Sequence, residues 1–95
     1  MRVHNKQLFT QSLLLFPEAA SQLRSWLVIT EEADWSSSHE LKNTMPQSKI
    51  IGGKNVAFKI RGNKYRLWAK IDYITKVVYI KAIGTHKQYE HWDIQ

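Results

Sequence analysis

A change of period halfway along the chain constrains the fold most. From Val56 onward apolar and polar residues alternate. Val56, Phe58 and Ile60 alternate with Ala57, Lys59 and Arg61. Tyr65, Leu67, Ala69, Ile71 and Tyr73 alternate with Lys64, Arg66, Trp68, Lys70 and Asp72. Val78, Ile80 and Ala82 alternate with Val77, Tyr79, Lys81 and Ile83. Period two over three runs predicts three strands of a sheet with one buried face. Gly62-Asn63 is a two-residue hairpin signal, and Thr75-Lys76 is a weaker one.

The first half reads as helix. Leu8, Phe9, Ser12, Leu13 and Phe16 fall at helical spacing, and Pro17 stops that element while suiting the first turn of the next. Leu23, Trp26, Leu27 and Thr30 give the second helix its stripe. Ser37 or Ser38 caps a short third helix over His39 to Met45, and Pro46 ends it. Helices and strands are segregated along the chain. The expected class is therefore α+β, with the helices over one face of an antiparallel sheet. The expected core includes Leu13, Phe16, Leu23, Leu27, Phe58, Ile60, Leu67, Ile71 and Ile80.

Length and composition narrow the function classes. Ninety-five residues make one small domain, 1–95. There is no cysteine, which excludes a disulfide framework and thiolate chemistry, and no acid cluster is spaced for a metal. No apolar run approaches the length of a membrane span. A soluble, cytoplasmic protein without cofactor, metal or membrane partner is expected. The formal charge is +6, unevenly placed: residues 1–48 carry four basic and five acidic side chains, residues 49–95 ten and three. Between Lys49 and Lys70 there are seven basic residues and no acid. The default partner of such a surface is a polyanion.

The hairpin register sharpens that inference. A turn at Gly62-Asn63 pairs Ile60 with Tyr65, Lys59 with Arg66 and Phe58 with Leu67, and a four-residue loop leaves the Ile60–Tyr65 register unchanged. The apolar pairs share one face; Lys59, Arg61, Lys64 and Arg66 share the other. A turn at Thr75-Lys76 sets Ile71 against Ile80 and Lys70 against Lys81. Six cations then gather on the side of the sheet away from the helices. Like charges facing each other across strands are destabilising, by roughly a few tenths to 1 kcal/mol per pair. Such a face is suited to an anion, and phosphate fits Arg and Lys well. Trp68 and Tyr79 alternate onto the same face, where they can stack on bases. Ordinary packing is the expectation for Tyr65 and Tyr73.

Beyond the third strand lies Gly84-Thr85-His86-Lys87-Gln88-Tyr89-Glu90-His91-Trp92-Asp93. With Thr85 as cap, His86, Tyr89 and Glu90 share one side of a short helix. A His beside a Tyr near a basic sheet is a reasonable acid–base pair, although such pairs are more often structural. His4 and His39 have no such context.

The string Phe58-Lys59-Ile60-Arg61-Gly62-Asn63-Lys64-Tyr65-Arg66-Leu67, then Tyr79-Ile80, then Gly84-Thr85-His86-x-x-Tyr89, resembles the HigB-type toxins of the RelE/ParE superfamily. Ala33-Asp34-Trp35 before a short helix and the N-terminal helix pair extend the resemblance over essentially the whole chain. The resemblance implies a RelE-like fold and the toxin of a type II toxin–antitoxin pair. Such toxins are small endoribonucleases, mRNA interferases that cut mRNA, commonly on the translating ribosome. Their partner is an antitoxin that often bears a helix-turn-helix. By position, the resemblance implies Lys64, Arg66, His86 and Tyr89 as catalytic residues. Lys59, Arg61, Trp68, Lys70 and Lys81 are expected to bind RNA on the register argument alone. Chain position 59 is a lysine where the family often has a polar amide, and Glu90-His91-Trp92 departs from the family's usual ending. Three rival readings remain: a non-catalytic RNA- or DNA-binding module, a superfamily member acting by protein–protein inhibition like the ParE toxins, and a decayed toxin retaining only the fold and antitoxin binding.

Overall fold

A computed structural model describes all residues, 1–95. The elements run β1 (Arg2–His4), α1 (Lys6–Leu15), a 3-10 turn (Pro17–Ala19), α2 (Ala20–Glu32), α3 (Ser38–Thr44), β2 (Ser48–Gly52), β3 (Asn55–Ile60), β4 (Tyr65–Asp72), β5 (Val77–Thr85) and α4 (His86–Tyr89). The five strands form one sheet in the order β1-β5-β4-β3-β2. All pairings are antiparallel except β1 with β5. The α+β class expected from the segregated periods is the observed one. No helix is long and apolar enough to cross a membrane.

The helical half forms for the reasons its pattern implies. On α2, Leu23, Trp26 and Thr30 are buried, one face at i, i+3 and i+7. Phe9 and Ser12 hold the inner face of α1, where the Ser12 hydroxyl donates to the Leu8 carbonyl at 2.9 Å. Ser37 caps α3, its side chain accepting from the Glu40 amide. Trp35, nearly fully buried, docks that helix by donating its indole N–H to Thr44 Oγ1 at 3.1 Å. Leu23, Phe58, Ile60, Leu67, Ile71 and Ile80 are buried as expected. Leu13, Phe16 and Leu27 are only half-buried and pack at the rim of the core.

Two strands were not legible in the sequence. β1 is too short to show a period; it lies parallel to β5, with Val3 opposite Val78. The left-handed backbone of Asn5, φ 73°, turns the chain from β1 into α1, and its side-chain amide donates to the Ile80 carbonyl at 3.0 Å. Asn is the residue best suited to that conformation after Gly. β2 is an edge strand exposed along most of its length, so no alternation marks Lys49-Ile50-Ile51.

The β3–β4 register is the expected one: Phe58 pairs with Leu67, Lys59 with Arg66, Ile60 with Tyr65. The loop between them has four residues, and its positive φ values fall at Arg61 (52°) and Gly62 (63°). That conformation takes Arg61 out of the alternation. Its guanidinium donates to the Glu18 carbonyl at 3.0 Å, and its amide to the Gln22 side chain, both on the helix layer. The expected placement of Arg61 beside Lys59, Lys64 and Arg66 is thus corrected by the turn geometry.

The β4–β5 register is also corrected. Ile71 lies opposite Val78, not Ile80, and Lys70 opposite Tyr79, not Lys81. The turn spans residues 73–76, because Asp72 Oδ1 accepts from the amides of Ile74 (3.0 Å) and Thr75 (3.1 Å). Further along, Trp68 pairs with Ala82 and Ala69 with Ile80, which leaves Lys81 as the extra residue of a β-bulge. The bulge inverts the alternation of β5 beyond it. Ile83 joins the rim of the core opposite Leu67, while Ala82 and Gly84 lie opposite Trp68 and Arg66.

Candidate active site

Four of the expected residues meet where β4 begins and β5 ends. Tyr65 pairs with Thr85 and Arg66 with Gly84, so the start of α4 lies beside the β3–β4 loop. The His86 amide donates to the Lys64 carbonyl at 2.9 Å, which locks α4 to that loop. Thr85 caps α4 reciprocally: its hydroxyl accepts from the Gln88 amide at 3.1 Å, and Gln88 Oε1 accepts from the Thr85 amide at 2.8 Å. The result orders a four-residue helix that could not hold itself together alone. On it the His86 and Tyr89 rings lie 6.2 Å apart at 28°. The Arg66 guanidinium carbon stands 5.4 Å from the centre of the Tyr89 ring, a cation–π contact.

Arg66 is the least ordinary residue of the group. It is 6% exposed, a burial that arginine adopts seldom unless paired. Its Nη1 donates to the carbonyls of Asn63 (3.1 Å) and Tyr65 (3.2 Å), and its Nη2 to Asn63 Oδ1 (3.0 Å). None of the chain's four ion pairs includes it. A buried charge held by neutral acceptors lacks the counter-charge that would offset its desolvation. The Nε–H and one Nη2–H have no protein acceptor. That side of a guanidinium takes a phosphate through two parallel hydrogen bonds.

The flanking groups differ in freedom. Lys64 is exposed, and Lys59, opposite Arg66 on β3, is exposed as well. Both can follow a phosphodiester chain. His86 is about half exposed, and its Nε2 lies 3.3 Å from Glu90 Oε1 one helical turn on. A carboxylate thus stands beside the imidazole on the same side of α4.

The structure does not bring the remaining expected residues into this group. Trp68 is half-buried and donates its indole N–H to Asn55 Oδ1 at 2.9 Å. Its ring faces Trp92 at 6.3 Å, so a packed aromatic partner already covers it. Lys70 lies further along β4, between Asn55 and Tyr79. Lys81 is the exposed bulge residue, and Arg61 is turned to the helices. Tyr65 packs on Phe16, its hydroxyl donating to Glu18. Burial first, and then Glu18, push its pKa upward, as burial does for Tyr73. Neither suits proton transfer near neutrality.

Two further residues, Trp92 and Asn63, contribute to the group. Trp92 meets Tyr89 edge-on at 5.7 Å and Trp68 at 6.3 Å, so it fixes the ring that faces Arg66. Nothing in its local sequence announces this. Asn63 carries only a turn signal in the sequence, yet its two oxygens hold the guanidinium.

Comparison with known proteins agrees with this geometry. The chain is 25% identical over 92 residues to the mRNA interferase HigB of Escherichia coli O6:H1 (strain CFT073), covering 95% of this chain and 89% of that protein. Residues 19–92 match the HigB toxin family, described as the RelE-like toxic component of a toxin–antitoxin system. That span holds most of the helical layer, four of the five strands and every residue of the Arg66–Tyr89 group, and the chain belongs to the HigB toxin family.

Proposed function

We propose that this protein is an mRNA interferase, an endoribonuclease that cuts mRNA in the cytoplasm and so stops translation. The observation that carries the reading is Arg66: buried, without a carboxylate, with two donors free, and against the Tyr89 ring.

The reaction needs little covalent chemistry from the protein. The ribose 2′-oxygen attacks the adjacent phosphorus, forming the 2′-O–P bond, and the P–O5′ bond breaks. The products are a 2′,3′-cyclic phosphate and a free 5′-hydroxyl. The 2′-OH loses one proton and the leaving 5′-oxygen gains one. Arg66 meets the charge that builds on the non-bridging phosphoryl oxygens, with Lys64 and Lys59 assisting. We assign proton transfer to His86, which α4 holds beside the β3–β4 loop. Tyr89 holds Arg66 from one side and orients the site. The likeness to an mRNA interferase supports RNA as substrate, and the basic margin from Lys59 to Lys64 supports a polyanion at this edge.

The partner that neutralises the toxin is its cognate antitoxin, and we assign to it the helix-turn-helix common in this superfamily. We also place the substrate on the translating ribosome. In the experiment, purified protein is incubated with a defined mRNA, free in EDTA and separately on translating ribosomes, and the new 5′ ends are mapped. Cuts that appear only with ribosomes establish a ribosome-dependent interferase. Cuts in free RNA with EDTA remove the ribosome from the account. Tight, salt-sensitive RNA binding without cuts in either format replaces the enzyme with a binding module.

A further inference from the structure

Asn63 has no conformational reason to be asparagine. In the loop from Arg61 to Lys64 the left-handed backbone falls on Arg61 and Gly62, and Asn63 is not among the residues with positive φ. The residue is exposed and packs into no core. Both of its oxygens are nonetheless used, and by the same partner. The main-chain carbonyl accepts from Arg66 Nη1 at 3.1 Å and the side-chain Oδ1 from Arg66 Nη2 at 3.0 Å. Two acceptors from one residue thus grip the end of one guanidinium fork.

We infer that Asn63 is the positioning residue of the phosphate site: it sets the plane of the Arg66 guanidinium and turns the Nε–H side toward the substrate. The inference rests on the endoribonuclease reading for its functional consequence. The physics is that of a planar five-donor group. With both ends of the fork held, the guanidinium cannot rotate about Nε–Cζ, and Tyr89 closes one of its faces. The amide is also the right chemistry. A carboxylate would hold the fork as firmly but would cancel the charge that phosphate requires, whereas a neutral amide orients the cation and leaves its field intact.

The test is made on the full chain. The Arg66 Nη–H resonances are followed by NMR in arginine-labelled protein, alongside single-turnover cleavage and KM for the mRNA format that the wild type cuts. In the wild type, restricted rotation keeps the Nη–H signals separate. In Asn63→Ala they merge, the cleavage step slows by about 10- to 100-fold and KM changes little, as expected when a reacting group is misaligned. In Asn63→Asp the signals stay separate, and the loss falls on KM, because the fork is held but its charge is offset. A merely structural role would lower Tm in both variants and would not split the two kinetic constants. A wild type that cuts RNA and an Asn63→Ala variant that cuts as fast overturn the inference alone. Separate signals that persist in Asn63→Ala also overturn it. A wild type that cuts nothing overturns the endoribonuclease reading and the inference with it.

Discussion

The His86 amide and the Lys64 carbonyl, 2.9 Å apart, are the hinge on which the candidate site depends. This one backbone bond joins the loop that supplies Lys64 and Asn63 to the helix that supplies His86 and Tyr89. It exists because Tyr65 pairs with Thr85, a register available only because the Lys81 bulge shifts β5 by one residue. The site is thus a consequence of strand pairing more than of the helix that carries its histidine.

Any side chain at Gly84 is expected to displace Gln88. A Cβ there would lie 2.4 Å from Gln88 Oε1 and 3.0 Å from Trp92 Cζ2. Gln88 must then leave the Thr85 amide and the capping box opens. Losing a cap costs roughly 0.5–2 kcal/mol of local stability. Gly84→Ala should fold, exchange its α4 amides faster by hydrogen exchange, and lose about tenfold in cleavage. Unchanged protection at Gln88 would show that α4 is held by other contacts.

Asp72 gives a pH prediction. Its carboxylate is held at a pKa of about 2, below the ordinary 3.8, first by the Thr75 amide and next by Lys54. The folded-state pKa is depressed, so the unfolded chain binds the proton more readily. The stabilisation is present in full above the unfolded pKa and is lost as pH falls through about 4 toward about 2. An acid titration of stability should show a component in that window that Asp72→Asn removes. Identical acid limbs in the two proteins would contradict the assignment.

Leu67 tests the register directly. It is fully buried, and it sits opposite Phe58 and Ile83. Leu67→Ala should cost roughly 2–5 kcal/mol in denaturant unfolding, the range for a buried leucine that leaves a cavity. Lys59→Ala, on the exposed neighbour of Phe58, should stay within about 0.5 kcal/mol. A comparable loss in both would mean that the alternation does not separate core from surface.

What the sequence disclosed followed from local signals of known period. Phe58, Leu67 and Gly62 fixed the β3–β4 hairpin because alternation and turn chemistry agreed there. Leu23, Trp26 and Thr30 disclosed α2, and Ser37 its neighbour's cap. The failures have physical causes too. A bulge removes no residue type and leaves no signature, so Lys81 could not announce that it flips Ile83 inward. Arg61 looked like a strand residue, but its left-handed backbone points it at Glu18. β1 is stabilised by β5, far away in sequence, and has too few residues to show a pattern. At the site, the His86–Tyr89 spacing was visible and the buried state of Arg66 was not. Burial there comes from Asn63, Tyr89 and the ladder together.

The central claim is that Arg66 and His86 act on a phosphodiester of mRNA. The most direct measurement is the cleavage rate of a defined mRNA on translating ribosomes by wild type, Arg66→Ala and His86→Ala, with folding checked by circular dichroism. General acid–base catalysis contributes roughly 10²- to 10⁴-fold, so His86→Ala should lose about that much. A lost charge-stabilising donor costs about 10²- to 10³-fold, which sets the expectation for Arg66→Ala. Both variants should remain folded. Cleavage by folded Arg66→Ala and His86→Ala at the wild-type rate would contradict the account.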